Sequence, residues 1–252
     1  MAFFSGLFAA AGRDLFQRRC RVCGGLVPRC PKRRGASPSD WPLALLCAAC
    51  AEALAPRRGG FCPGCGAIGP DPHAEPALCP SCESRPRPFA TLAFHAPYQG
   101  LLRDMILSFK FGKQPEHAGV LRELLTGALT RAARGPATAD VIVPIPLHPA
   151  RLAWRGFNQS LELARGVSRT IGRPIDARAL VRVRDTRPQS TLSGRERREN
   201  IQGAFLADPA RVSGRVALLA DDVMTTGATM DAASQALLDA GAARVDVVVL
   251  AR

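Results

Sequence analysis

Beyond residue 90 the apolar positions follow two periods. Thr91–His95 reads as a first strand, and Leu101–Phe109 is apolar enough to pack. From Glu116 to Arg134 the spacing of Val120, Leu121, Leu124, Leu125 and Leu129 predicts an amphipathic helix, stopped by Gly135-Pro136. Val141–Val143 is a buried strand, and Ser160–Ile171 is helical. Val216–Ala220 is a continuous apolar run, as in a parallel strand covered on both faces. Met230, Ala233, Leu237 and Ala240 then recur at helical spacing, Gly241 sits where a helix C′ glycine belongs, and Val245–Leu250 is a further apolar run. Strand, helix and strand make a βαβ unit, so the expected class is α/β: a parallel sheet flanked by helices. Val181–Arg198 has no core periodicity and reads as a lid or binding loop.

The chain before residue 90 follows neither period. Met1–Ala11 is apolar but lacks a basic leader, which favours a short packed helix over a signal peptide. Ser84-Arg85-Pro86-Arg87-Pro88 is stiff and polar, and places a boundary between domains 1–89 and 90–252.

No apolar run approaches the ~18 residues of a membrane span, and a cytoplasmic protein is expected. The formal charge is +13, carried by 31 Arg and only three Lys: Lys32, Lys110 and Lys113. That balance favours polyanions such as nucleic acid. Tyr98, Trp41 and Trp154 are too few for a single-strand stacking platform, and of the scattered histidines only His148 falls near the candidate site.

All nine cysteines precede residue 83, and eight form C-x-x-C pairs: Cys20/Cys23, Cys47/Cys50, Cys62/Cys65 and Cys79/Cys82. Four such pairs predict two structural Zn²⁺ sites in a small zinc-ribbon domain, with Gly24 and Gly66 in the knuckle turns. Pairing in sequence order and an interleaved pairing are both open. Eight thiolates and two Zn²⁺ lower the charge of residues 1–89 from +6 to about +2, so bare basicity overstates this region's pull on nucleic acid. Cys30, in the basic run Arg29–Arg34, is the odd thiol. Gly64-Cys65-Gly66-Ala67-Ile68-Gly69 matches a dinucleotide fingerprint by letter only, since it begins inside a cysteine pair with no strand ahead of it.

The strand at Val216 runs into Asp221-Asp222-Val223-Met224-Thr225-Thr226-Gly227-Ala228-Thr229. Three threonine hydroxyls, a glycine that lets backbone N–H groups approach closely, and a helix N-terminus converge on one anion. Asp221 and Asp222 do not suit a bare phosphate; they suit hydroxyls, or a cation accompanying it. A ribose 5-phosphate with Mg²⁺ satisfies both halves. After the Val141 strand, Pro144–His148 leads to Arg151 and Arg155, an arginine pair chemically right for pyrophosphate. Arg184 and Arg187 stand in the lid segment.

The acidic pair followed by Thr-Thr-Gly-Ala-Thr resembles the phosphoribosyl-pyrophosphate (PRPP) signature of type I phosphoribosyltransferases. In that family the acidic pair meets the ribose hydroxyls, the loop holds the 5-phosphate, a loop near Arg151 holds pyrophosphate, and a lid closes over the reacting carbon. With the cysteine pairs, Trp154-Arg-Gly-Phe-Asn-Gln-Ser160, Arg187-Pro-Gln-Ser-Thr-Leu192, and Arg197-Arg-Glu-Asn-Ile201 leading to Gly203-Ala204-Phe205, the chain resembles the ComF family from about Cys20 to Arg252. The resemblance implies a double zinc ribbon joined to a phosphoribosyltransferase-like domain. It further implies a part in natural competence, the uptake or handling of transforming DNA, with PRPP, single-stranded DNA and competence helicase machinery as partners. An active phosphoribosyltransferase with an unknown acceptor is the alternative. Cys30 and its basic insert depart from the family pattern.

Overall fold

The structure is a computed structural model describing residues 18–27, 46–112, 116–132, 139–185 and 201–252. The expected helix before residue 12, Cys30 with its basic run, Trp41, Lys113, Arg187 and the rest of the expected lid lie outside the described residues. Two short helices, α1 (Ala48–Ala53) and α2 (Pro80–Ser84), belong to the cysteine-rich region. Then come β1 (Thr91–Ala96), α3 (Gly100–Lys110), α4 (His117–Arg131) and β2 (Val141–Pro144). They are followed by α5 (Pro149–Arg155), α6 (Gln159–Ile171), β3 (Leu180–Arg182) and β4 (Phe205–Ala207). Last are α7 (Pro209–Val212), β5 (Val216–Val223), α8 (Ala228–Asp239) and β6 (Arg244–Ala251).

Four strands form one parallel sheet in the order β1-β6-β5-β2. Thr91 is opposite Asp246, Val216 opposite Arg244, and Val141 opposite Ala217. The unbroken apolar runs are explained by helices on both faces. Leu218, Ala220, Val248 and Leu250 join Ile106, Leu121, Leu125 and Leu163 on one side. Ala217, Leu219, Val247 and Val249 join Met230, Ala233 and Leu237 of α8 on the other. The acidic residue of β6, Asp246, is fully buried; it accepts a hydrogen bond from Thr91 Oγ1 at 2.8 Å and pairs with Arg244 at 2.9 Å. Gly241 ends α8 at φ +89°, its N–H reaching Leu238 O at 2.9 Å while Ala242 N–H reaches Leu237 O at 3.0 Å. Those two bonds satisfy the carbonyls that a helix end leaves open.

One expectation is corrected. Residues 180–182, whose last two residues open the segment read as a loop, are a strand paired antiparallel with β4. Three residues are too few for a period-2 signal to show in sequence. No helix of the described residues is long and apolar enough to cross a membrane.

Candidate functional site

The cysteine pairs meet in sequence order: Cys20, Cys23, Cys47 and Cys50 in one cluster, Cys62, Cys65, Cys79 and Cys82 in the other, each with its sulfurs within 4.8 Å of one another. The interleaved pairing is excluded. The two clusters are built alike. The first pair sits on a knuckle: Cys20 N–H bonds to Gly25 O at 2.7 Å and Gly24 N–H to Cys20 O at 2.9 Å, as Cys62 N–H bonds to Ala67 O at 2.9 Å and Gly66 N–H to Cys62 O at 2.7 Å. Gly24 and Gly66 supply the left-handed turn at φ +72° and +69°. The second pair starts a helix: Cys47 is the N-cap of α1 and Cys79 that of α2, each with its partner one turn on, where N–H groups and the helix dipole favour a thiolate.

The sulfur geometry fits zinc. Tetrahedral Zn–S bonds of ~2.3 Å place the sulfurs ~3.8 Å apart, and Cys23–Cys47 and Cys65–Cys79 are each 3.7 Å apart. Burial opposes ionisation of Cys20, but the N–H groups of Cys23, Cys47 and Val22 outweigh it and bring the thiol down to about 6. Cys62 is brought down to about 7 in the same way. Burial and the neighbouring cysteines push Cys50 well up and Cys82 up to about 12. Crowded sulfurs thus resist sharing negative charge, and a central dication removes that resistance.

The acidic pair stands at the C-terminal end of β5, both carboxylates nearly buried. Ser160 Oγ, in the first turn of α6, donates to Asp221 Oδ1 at 2.6 Å. Lys110 Nζ, on the last residue of α3, lies 2.6 Å from Asp222 Oδ2, although that oxygen receives no well-directed hydrogen bond. Burial and then Asp222 push Asp221 up to about 7. Burial works against the charge of Lys110, but Asp222 and Asp221 hold its pKa above the ordinary value.

Behind the pair, Thr225–Gly227 turns into α8. Gly227 is the N-cap of α8 at φ +84°, and a Cβ there would come within 3.0 Å of Arg87 Nη1. Thr226 Oγ1 accepts from Ala228 N–H at 3.4 Å. Two arginines tie this loop to the cysteine region. Arg87 pairs with Asp231 of α8, and Arg252 donates to Cys65 O at 2.6 Å and also to Thr225 O. A Cβ on Gly66 would meet Arg252 Cγ at 2.8 Å, so the knuckle glycine also makes room for that bridge. A cleft of about 860 Å³ lies on this side of α8, lined by Arg85, Arg87, Gln202 and Asp231.

Arg155 lies within electrostatic reach of the acidic pair: its Nη1 donates to Gln159 Oε1 at 2.8 Å, and the pull of Asp222 and Asp221 on it opposes the burial and the Arg151 charge that lower its pKa. Arg151, on the same helix, is the like charge felt by both Arg155 and Arg182. Arg184 instead donates to Gln202 O. His148 caps α5, 3.7 Å from Asp185.

Lys110 and Ser160 escaped the sequence reading. A lysine between two phenylalanines, in a chain that otherwise uses arginine almost throughout, was the available signal for the first. Nothing local marks Ser160, whose partner is 61 residues away.

The chain matches the family model described as a phosphoribosyl transferase domain over residues 156–252. It is 37% identical to DNA utilization protein YhgH of Salmonella typhimurium over 84% of this chain and 93% of that protein. It is 30% identical to competence protein F of Haemophilus influenzae over 82% and 96% of the two chains. With competence protein ComFC of Bacillus subtilis the identity is 29% over 79% and 80%.

Proposed function

The chain belongs to the ComF family, and from that premise we propose that it is a competence-type DNA-handling protein with a pocket for a phosphoribosyl ligand, PRPP or ribose 5-phosphate. The observation carrying the pocket is the buried Asp221–Asp222 pair at the end of β5, with the Gly227-capped N-terminus of α8 one short turn away. The Ser160 hydroxyl on Asp221 occupies a place suited to a ribose hydroxyl, and Asp222 offers the second acceptor. Thr225, Thr226, Gly227, Ala228 and Thr229 then take the 5-phosphate through N–H and hydroxyl donors. Arg151 and Arg155 face the pyrophosphate, and Arg184 and Arg187 belong to the segment that closes over it.

With Ser160 and Lys110 on them, these two carboxylates by themselves offer no cage for Mg²⁺. Mg²⁺ enters with the pyrophosphate, as it does when phosphates supply most of its ligands. The two cysteine clusters hold one structural Zn²⁺ each, which cross-links a region with little apolar core of its own. Residues 1–89 form the metal module and 90–252 the ligand module, in the reducing cytoplasm where thiolates persist.

Calorimetric titration with PRPP and Mg²⁺ tests the pocket. Saturable binding to the parent, lost in Asp221→Asn/Asp222→Asn, is expected; no saturable binding to the parent overturns it. The second reading is phosphoribosyl transfer, favoured by the arginines beside the acidic pair, which would neutralise a departing pyrophosphate. Pyrophosphate release with a panel of purine and pyrimidine acceptors distinguishes a transferase from a binding protein.

A further inference from the structure

Phe111 and Trp154 are exposed large hydrophobic residues, 52% and 70% accessible. They come from different segments, just past α3 and on α5, yet their rings meet edge to face with centroids 6.2 Å apart. The guanidinium of Arg155 lies 5.9 Å from the centre of the Phe111 ring. The arrangement repeats on both segments. Lys110 turns inward to Asp222 while the next residue, Phe111, turns to solvent. Arg155 is half-buried and donates to Gln159, while the preceding residue, Trp154, turns to solvent. The fold does not need these two rings: Phe109 and Phe157 close by pair with each other at 5.4 Å and serve the core. Leaving a phenylalanine and a tryptophan in water forfeits burial energy, and neighbouring exposed aromatics mark a contact surface.

We propose that Phe111 and Trp154 form a stacking platform for the bases of a single-stranded nucleic acid, at the outer lip of the acidic-pair site. Every base has a flat π-face, so two rings at a site's lip accept a strand with little regard to sequence. Arg155 and Arg151 supply positive charge alongside, and the formal charge of +13, about +9 once eight thiolates and two Zn²⁺ are counted, suits a polyanion. The openness of the rings selects the occupant. A small base gains affinity by being enclosed, whereas a strand on an open ring is held by its other nucleotides and phosphates. This inference rests on the DNA-handling reading and adds to it the residues that touch the bases.

The test compares a labelled 15-nucleotide oligo(dT) with an abasic strand of equal length, by fluorescence anisotropy at fixed salt. The parent is expected to bind oligo(dT) more tightly than the abasic strand. Trp154→Ala and Phe111→Ala should each weaken oligo(dT) binding by about 10-fold or more and leave the abasic strand unaffected, while Trp154→Phe retains most of the affinity. PRPP titration of the same variants reports whether the neighbouring pocket and fold are intact, and unchanged PRPP binding is expected. Unchanged oligo(dT) binding in Trp154→Ala overturns the platform and leaves the DNA-handling reading standing. Equal losses for both strands also overturn it, since they point to charge or fold. Binding of free dTMP as tight as that of oligo(dT) overturns the strand as occupant. No binding of any strand by the parent overturns both the platform and the DNA reading beneath it.

Discussion

Lys110 Nζ lies 2.6 Å from Asp222 Oδ2, with the lysine side chain 20% exposed and the carboxylate 4%. The end of α3 is thereby fastened to the end of β5. Removing one member of a covered ion pair strands the other charge, at a cost of roughly 3 kcal/mol or more. Lys110→Met should therefore unfold at distinctly lower urea than the parent with metal kept in excess, and Lys110→Arg should fall between them. Equal midpoints for all three would mean that the pair contributes nothing.

Asp221→Asn and Asp222→Asn keep size and remove charge. A charge-assisted hydrogen bond contributes roughly 1.5–3 kcal/mol, so each change should weaken PRPP binding by about 10- to 100-fold. The double variant should lose binding almost completely. Zinc measured by elemental analysis should stay near two ions per chain, because the cysteine clusters do not touch these carboxylates. A double variant that binds like the parent places the pocket elsewhere.

The raised carboxyl of Asp221, at about 7 through burial and then Asp222, makes binding and stability move in opposite directions with pH. The folded state holds this proton more tightly than the unfolded state, so the stability it contributes is full below the ordinary carboxylate pKa and is lost as pH rises from there through about 7. Gripping a hydroxyl needs the ionised form, so PRPP affinity should rise between pH 6 and 8. Phosphate groups also titrate near the lower limit, at about 6; Asp221→Asn serves as the control and should show a flatter profile. Identical profiles for parent and variant would remove Asp221 from the binding step.

Zinc should affect the ligand loop unequally from its two sites. Arg252 links Cys65 O to Thr225 O, and Arg87 joins the boundary segment to Asp231. Cys62→Ser should cost one zinc and also weaken PRPP binding, whereas Cys20→Ser should cost one zinc with a smaller effect on PRPP. Elemental analysis and titration of both variants decide the matter; equal effects would show that the arginine bridge does not transmit.

Gly227→Val should abolish PRPP binding by a steric route. The position needs φ +84°, which a β-branched residue resists, and the added Cβ would come within 3.0 Å of Arg87 Nη1. Gly227→Ala should be intermediate in both binding and stability. Full PRPP affinity in the valine variant would show that the loop does not approach the phosphate closely.

The central strands and α8 were legible because their signals are local. Leu218–Ala220 and Val247–Leu250 are buried on both faces, and Gly241 sits at the C′ position it predicts. The cysteine sites were legible too, since two residues between ligands fix a knuckle; only the pairing order needed three dimensions. What escaped is long-range and brief. Ser160 and Lys110 reach the acidic pair from α6 and α3, and no periodicity records a contact across 61 or 112 residues. Strand β3 was hidden by its length of three residues. The aromatic pair was missed because the reading considered tyrosine and tryptophan, while the partner of Trp154 is a phenylalanine from another segment.

The position of β6, between β1 and β5, has a consequence for how the chain is made in the cell. It is the last of the described strands to leave the ribosome, yet it is the one on which its two neighbours pair. Until residues 244–251 emerge, β1 and β5 have exposed edges and no shared partner, an arrangement prone to wrong pairing. The cysteine quartets are complete by Cys82 and can close while two thirds of the chain is still unmade. Synthesis therefore has an early checkpoint that depends on metal supply and a late one that depends on eight residues, and a message cut short before the second leaves an open sheet for the proteases.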